Sequence, residues 1–389
     1  MPKNDYSAKN IKPLTPREHV RLRPGMYIGG TDKRALHHML YQVLDHMVEE
    51  AFVGRCDHVM IELHPENRVV MQDNSQGLPT EPYKDTSLTW MEALTQTFNA
   101  HKYDKEPDTY RISGGLSGLG LTIINCLSDT FVVENYRDGT LWKLTYEKGL
   151  PKTPLTRLRD KTTENTHGTR FMLSPDYDIF EDVSFDFDTV CLRTQTVAML
   201  TPGLKLDVYD RRDGQARTFL YQDGLKARVL DSTAGYDTFH DVVCIQEDVP
   251  IRQADGEETL IGIEIAFQFG AYEQGELQNF VNTVETRGGV HVTAFKATLL
   301  ACFNDRTGYS RNWERRDLVW DDIADNLIAI ISIRHAAPDF ESPTKINLYN
   351  QDVYAPIAGC VFRAFSPAGH RYHQHRRLLD DIIEAITRT

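Results

Sequence analysis

The sequence predicts an α+β fold divided into more than one domain, and three observations predict it. Residues 36–51 place Leu36, Met39, Leu40, Val43, Leu44, Met47, Val48 and Ala51 at three- and four-residue intervals, the spacing of an amphipathic helix. Residues 59–64, 69–72, 261–267 and 327–333 are short β-like runs, the third alternating and the fourth almost continuously apolar. A length of 389 residues exceeds what one ordinary core serves, so two or three domains are expected.

Bulk properties narrow the function classes. Hydrophobic residues at 41% beside 25% charged residues describe a globular chain. No run approaches the roughly 20 apolar residues of a membrane span, and the polar start MPKNDYSAKN is unlike a secretory signal, so no membrane association is expected. Cys56, Cys126, Cys191, Cys244, Cys302 and Cys360 are widely spaced with no CxxC pair. That spacing argues against structural zinc and a disulfide framework, and it fits a reducing cytoplasm best. A net charge of −13 excludes a surface that is basic throughout, while leaving room for local basic patches. Residues 311–316, with Arg311, Arg315 and Arg316, form one such run. Residues 371–377, with Arg371, His373, His375, Arg376 and Arg377, form another. Each reads either as a solvated helix face or as a basic contact surface.

In chain order, residues 1–16 are polar with Pro13 and Pro16 and read as an extended arm. The stretch RLRPGMYIGG at residues 21–30 is a turn. The helix that follows is expected to end near Gly54, and its other stripe carries Gln42, Asp45, His46 and Glu49 near one line of the surface. Those four are either a solvated polar face or a row aimed at a ligand. Residues 65–68 form a turn between two strands, the second of which runs into DNSQGLP at residues 73–79. A carboxylate at a strand end before a Gly/Pro turn suits a pocket floor, and it is equally an ordinary turn composition. Residues 81–111 are polar and aromatic, with Lys102, Tyr103 and Tyr110, and read as a mobile cover.

Residues 110–120, YRISGGLSGLG, hold four glycines in seven residues before the apolar run 121–127. Glycine tolerates positive φ and has no side chain in the way, so such a loop can turn several backbone N–H groups onto one anion. A helix over the apolar run would add its positive N-terminal end. Taken alone, the stretch is as much a turn between two elements as a phosphate cradle.

Together the segments PGMYIG, the polar-striped helix, QDNSQGLP, YRISGGLSGLG and HGTRF resemble, in that order, the ATPase region of DNA gyrase B and its topoisomerase IV counterpart. These belong to the GHKL superfamily, with the heat-shock chaperone ATPase, histidine kinases and MutL. The likeness extends over essentially the whole chain. It implies an N-terminal dimerisation arm over residues 1–15 and a two-layer α/β sandwich of the Bergerat type over 16–225. A transducer domain, with the fold of the second domain of a small-subunit ribosomal protein, would cover 226–389. The resemblance makes Asp73 an acceptor for the adenine amino group, supported by Gly77 and Thr169. Gly115, Leu116, Ser117, Gly118, Leu119 and Gly120 would wrap the triphosphate, with Lys102 and Tyr110 as further donors. A carboxylate suits that task because a base lacking the amino donor leaves it unpaired. Tyr6 and Ile11 match an arm that crosses to a second copy of the chain, which implies a homodimer formed with ATP. The segment RGGVHV at residues 287–292, before a helical run 295–303, resembles the family's GGTH element. Lys345 stands where a lysine reaches the γ-phosphate. Magnesium, DNA and a protein of the gyrase A type are the further partners implied.

Several positions depart from that pattern. Gln42 replaces the family's general base, a glutamate, and a carboxamide orients water without taking its proton. The acid–base share of the rate, roughly 10²–10⁴-fold, is then lost. His46 replaces the magnesium-binding asparagine, and imidazole is a poor ligand for a hard cation. Ser75 replaces a glycine, and Gln76 an arginine that pairs with the acid matching Glu50. Ser117 replaces a histidine and Pro343 a glutamine. Asp45 and Glu49 are the candidate substitute bases, although Asp45 also has a family counterpart. The combination implies a site that binds nucleotide and hydrolyses it slowly or not at all. Three functions follow as expectations: an ATP-operated gate of a type II topoisomerase, a nucleotide-switched regulatory or interaction paralogue, or an inhibitor-tolerant paralogue suggested by Gln76. The sequence lacks the DNA-cleaving region of a complete gyrase B protein, so it is expected to be an ATPase fragment or a stand-alone paralogue.

Overall fold

The computed structural model describes residues 14–84, 86–98, 119–158, 167–181, 184–252, 256, 258–307, 317–341, 345–365, 379–380 and 382–384. They fall into two compact units, one taking in residues up to 98, 119–194 and 205–219, the other 195–204 and everything from 220 onward.

The first unit opens with α1 (Pro16–Leu22), started by a capping box between Thr15 and Glu18, then α2 (Gly25–Ile28) and α3 (Lys33–Phe52). Asp32 caps α3 by accepting the Ala35 N–H. Next come β1 (His58–Leu63), β2 (Val69–Asp73), α4 (Trp90–Gln96) and α5 (Gly120–Leu127). They are followed by β3 (Ser128–Arg137), β4 (Thr140–Glu147), β5 (Leu150–Leu158), β6 (Gly168–Pro175), α6 (Phe187–Leu200), β7 (Lys205–Asp210) and β8 (Ala216–Phe219). The eight strands form one sheet in the order β5-β4-β3-β6-β2-β1-β7-β8, antiparallel except for the parallel pair β1–β7. Helices pack on this sheet to give a two-layer α/β sandwich.

The predicted apolar stripe of α3 faces the sheet: Leu36, Met39, Leu40, Val43, Leu44 and Met47 are fully buried, whereas Ala51 at the frayed end stays partly exposed. Each large aliphatic side chain so buried stabilises the fold by about 1.5–3 kcal/mol. Across the layer lie Phe131, Phe171 and Tyr146, with Phe131 stacked on both of the others at 6.1 and 6.3 Å. Arg21 of α1 donates to the Cys126 carbonyl in the last turn of α5 at 2.9 Å and pairs with Asp176 at 2.6 Å. A cation there satisfies an end carbonyl and complements the negative helix terminus.

The expected mobile cover over residues 81–111 is corrected in its described part. Thr89 and Glu92 form a second capping box, and α4 buries Met91, Ala93 and Leu94. Thr122 of α5 donates to the Leu94 and Thr97 carbonyls, and Asn125 donates to that of Thr95. The polar residues that made this stretch read as a loop are its caps and cross-links. Lys102, Tyr103 and Tyr110 lie outside the described residues, as do Tyr6, Ile11 and both basic runs.

The second unit contains α7 (Gly224–Thr233), β9 (Val243–Arg252), β10 (Glu258–Phe269), β11 (Glu276–Val281) and β12 (Val284–Glu285). After them come β13 (Gly288–Gly289), α8 (Val290–Thr307), α9 (Asp321–Ala324), β14 (Leu327–Arg334), β15 (Asn347–Leu348) and α10 (Tyr354–Phe365). A five-stranded sheet runs β12-β11-β14-β10-β9. The continuous apolar run predicted at 327–333 is explained by burial on both faces. Leu327, Ala329, Ile331 and Ile333 join a core with Phe267, Phe295 and Phe303, while Ile328 and Ile330 join another with Leu225 and Val229. The helical run expected at 295–303 begins five residues earlier, straight from the two glycines of β13. Among the described residues, no helix is long and apolar enough to cross a membrane.

Two glycines of the first unit make a contrasting pair. Gly168 has φ +121°, and a Cβ there would lie 2.3 Å from the Asp73 carbonyl oxygen. Gly139 has φ +68° with nothing within 4 Å of that position. Gly168→Ala is expected to destabilise the protein by about 3 kcal/mol or more, and Gly139→Ala by only about 1 kcal/mol. Urea unfolding midpoints of the two variants check the difference, and equal shifts would contradict it.

Candidate functional site

The site in the first unit is built where β2 ends. Asp73 is 3% exposed, and its Oδ1 accepts two backbone N–H groups, from Ser75 at 2.9 Å and from Thr169 at 3.0 Å. The first bond is the local turn that an aspartate makes two residues ahead. The second comes from β6, which pairs with β2 as far as Gln72 opposite Arg170. Both bonds commit the carboxylate to a fixed orientation as an acceptor.

The turn after Asp73 is held equally tightly. Gly77 has φ +77°, and a Cβ there would lie 2.6 Å from both Asn135 Oδ1 and the Tyr136 carbonyl, so only glycine fits. Asn135 grips the next peptide at both ends: its Oδ1 accepts the Leu78 N–H at 2.7 Å and its Nδ2 donates to the Leu78 carbonyl at 2.9 Å. Arg137 donates to the Gly77 carbonyl at 2.9 Å, and His167 Nδ1 lies 2.8 Å from the Ser75 carbonyl. Beneath lies buried Cys56, whose thiol is pushed up to about 12 by burial, with the charge of Asp73 acting the same way. It stays a thiol at neutral pH.

Asp73, Gly77 and Thr169 are thus brought together at one strand end. Asn135, Arg137 and His167 were missed. A signal for Asn135 was present: Phe131, Val133 and Asn135 share one face of β3, so a carboxamide stands in an otherwise apolar row. Gln76 is exposed, and Glu50 is buried.

A second wall comes from α3 and the start of α5. A Cβ on Gly120 would lie 3.1 Å from Gln42 Oε1 and 3.6 Å from Gln42 Cβ, so the last glycine of the loop packs on this side chain. Gln42 Oε1 is buried and has no hydrogen-bond partner among the described residues. Leu119 caps α5 without any side-chain bond, which leaves the first-turn N–H groups for another acceptor. Gly115, Leu116, Ser117 and Gly118 lie outside the described residues.

The polar stripe of α3 divides. Asp45 is 5% exposed and pairs with Arg193 of α6 at 2.8 Å, and the guanidinium lies 5.6 Å from the Tyr41 ring. The cation beside it stabilises the ionised carboxylate, which makes Asp45 a weaker substitute base. Gln42, His46 and Glu49 remain half-buried. His46 sets its ring edge-on to Phe171, with centroids 5.8 Å apart. Among the described residues no group of three or more His, Cys, Asp or Glu side chains could hold a metal ion. His46 offers an imidazole nitrogen where the resemblance implies an amide oxygen, and magnesium prefers oxygen ligands. Of the metal ligand set that the resemblance implied, this face departs at His46.

In the second unit, Lys345 has φ +55° and its Nζ stands 5.7 Å from the centroid of the Phe340 ring. The segment after it is braced by the RGGVHV element. Arg287 donates to the Ile346 carbonyl at 2.8 Å, and Gly288 and Gly289 pair with Asn347 and Leu348. A Cβ on Gly289, at φ +131°, would lie 2.5 Å from the Leu348 nitrogen. His291 is fully buried beside Thr286, and burial pulls its imidazole down to about 4. It is a neutral internal group. Pro343 lies outside the described residues.

A buried acceptor at a strand end and a glycine-led helix within an α/β sandwich are consistent with a GHKL-type ATPase domain, and a family match identifies one. Residues 31–179 match the family described as histidine kinase-, DNA gyrase B-, and HSP90-like ATPase, and residues 224–389 match the DNA gyrase B family. The chain thus carries a GHKL ATPase domain followed by a DNA gyrase B domain. It is 38% identical to the DNA gyrase B protein of Thermotoga maritima over 352 residues, which is 90% of this chain and 54% of that protein. It is 35% identical to the DNA gyrase B protein of Haloferax volcanii over 359 residues, again 90% of this chain and 54% of that protein. The chain therefore spans about half the length of the curated relatives it matches. Its fold is similar to the 43K ATPase domain of Thermus thermophilus gyrase B, solved with an aminocoumarin. The TM-score is 0.78 at 25% identity, covering 96% of this chain and 94% of that one.

The buried Asp45–Arg193 pair yields a stability prediction. Arg193→Ala leaves a carboxylate uncompensated inside the protein and is expected to cost about 3–5 kcal/mol. Adding Asp45→Asn should restore part of that loss, because the stranded charge disappears. Equilibrium unfolding in urea measures both, and a double variant no more stable than Arg193→Ala would contradict the pairing.

Proposed function

We propose that this chain is an ATP-binding, ATP-dependent dimerising module of the gyrase B and topoisomerase IV type, in which nucleotide is held more than hydrolysed. The observation that carries this reading is the side chain packed on Gly120: a carboxamide, Gln42, whose buried oxygen has no hydrogen-bond partner among the described residues. That oxygen can accept a hydrogen bond from a water beside the terminal phosphate, but it cannot take the proton. The buried carboxylate three residues along, Asp45, is held by Arg193.

On this reading the adenine amino group donates to Asp73, with Gly77 and Thr169 completing the floor of the base pocket. The triphosphate lies on the loop with Gly115, Leu116, Ser117 and Gly118 and on the start of α5 at Leu119 and Gly120. Lys102 and Tyr110 are further donors. Lys345 senses the γ-phosphate, and Tyr6 belongs to an arm, residues 1–15, that closes over the nucleotide of a second copy. The nucleotide domain then spans residues 16–225 and the transducer 226–389, a division supported by family matches at 31–179 and 224–389. His46 weakens any hold on magnesium. DNA and a protein of the gyrase A type are the partners of this reading. The net charge of −13 favours a second one, in which the ATP-closed dimer serves regulation or protein interaction without a topoisomerase role.

Binding and turnover measured together on the purified chain test the proposal. Titration calorimetry is expected to show ATP binding, with turnover near background. Gln42→Glu should raise turnover by roughly 10²-fold or more, most clearly when combined with His46→Asn. Sedimentation with a non-hydrolysable ATP analogue should show a monomer-to-dimer shift that deletion of residues 1–16 abolishes. Absence of ATP and ADP binding would sink the nucleotide reading. Wild-type turnover that Gln42→Glu fails to raise would sink the missing-base argument. A DNA affinity with no salt dependence would favour the regulatory reading over the gate.

A further inference from the structure

The grip of Asn135 on the base-pocket turn has a chemical consequence beyond holding it in place. The two bonds to Leu78 fix which end of the carboxamide is which: the oxygen faces the Leu78 N–H and the nitrogen faces the Leu78 carbonyl. Thr169 Oγ1 lies 3.4 Å from that oxygen. An oxygen with no hydrogen can only accept, so any bond between these two groups is donated by the threonine. Asn135 is fully buried and Thr169 is 2% exposed, so little water competes for the hydroxyl proton. Asn135 also sits directly opposite Thr169 in the β3–β6 ladder, which holds the two side chains in register.

We infer that Asn135 is a specificity-determining positioning residue. By drawing the Thr169 hydroxyl proton to itself, it makes the pocket floor beside Asp73 present acceptors only. Asp73 is already committed as an acceptor by its two backbone N–H donors. An exocyclic amino group brings two N–H donors to such a floor, whereas a ring carbonyl in the same place brings lone pairs against lone pairs. The floor therefore selects 6-aminopurine nucleotides against 6-oxopurine nucleotides, and Asn135 contributes through Thr169 without touching the base. This inference rests on the reading of Asp73 as the base-recognising group. It adds a residue to which the motif resemblance assigned no role.

The test compares ATP with ITP, which differ in that group, by calorimetric titration of the full chain. Wild type is expected to prefer ATP. In Asn135→Leu, which is nearly the same size, the Thr169 hydroxyl is free to turn its proton to the 6-oxo group, and the ATP preference should narrow by about five- to tenfold. In a Thr169→Val background the same Asn135→Leu change should leave the ratio where Thr169→Val put it, because the intermediary is gone. If Asn135→Leu weakens ATP and ITP equally, Asn135 is only a brace, and the inference is overturned while the nucleotide reading stands. Should Asn135→Leu not fold, Thr169→Val alone decides: an unchanged ATP-to-ITP ratio overturns the inference. Wild-type binding of neither nucleotide, or of both alike, overturns the reading of Asp73 itself.

Discussion

The site depends on one carboxylate oxygen receiving two backbone N–H groups from different parts of the chain. Asp73 Oδ1 takes one from its own turn and one from Thr169, 96 residues away in sequence. The second bond forms only if β6 is laid beside β2 in one register, and only if residue 168 has no side chain. Gly77 and Asn135 then close the turn from the β3 side. Three strands thus converge on one acceptor, and its orientation is set before any ligand arrives. Preorganisation of this kind removes the ordering cost from the binding step.

The helix across the pocket shows how close neighbours can have unrelated roles. Asp45 and Gln42 are three residues apart on α3, yet one is sealed in an ion pair with α6 and the other packs on Gly120. A buried pair contributes little net stability compared with apolar residues of the same shape, but removing one partner is costly. Its effect here is to hold the Asp45 carboxylate against Arg193 of α6. What remains beside Gly120 is an amide oxygen, a group able to hold a water but not to ionise it.

Much of this was legible in the sequence, for reasons that differ by element. The buried face of α3 and strands β1, β2, β10 and β14 could be read because apolar period and length agree there. The second capping box and α4 were read as cover because Thr89, Glu92, Thr95 and Thr97 look like loop residues until their hydrogen bonds are known. Asp73, Gly77 and Thr169 were named through the motif resemblance, which carries pairings that a single strand does not reveal. Asn135 and the Asp45–Arg193 pair were not, because their meaning depends on which distant residue stands opposite. A polar residue in an apolar strand face was the one hint available, and it says that a partner exists without saying which.

In the proposed function, base recognition falls to the ends of β2, β3 and β6, and the water site falls to one face of α3. The two share no side chain among the described residues, so substitutions on α3 need not disturb Asp73 or its clamp. Under the proposed function, this separation is what would let Gln42 and His46 stand on α3 beside an intact floor. If selection had abandoned nucleotide altogether, the costly features of that floor would have no reason to persist: a left-handed glycine pressed against Asn135, a second glycine with no room for a Cβ, and a buried carboxylate fed by two amides. Each constrains the chain without adding apolar burial. Their joint presence supports the proposed role of this floor in holding a nucleotide.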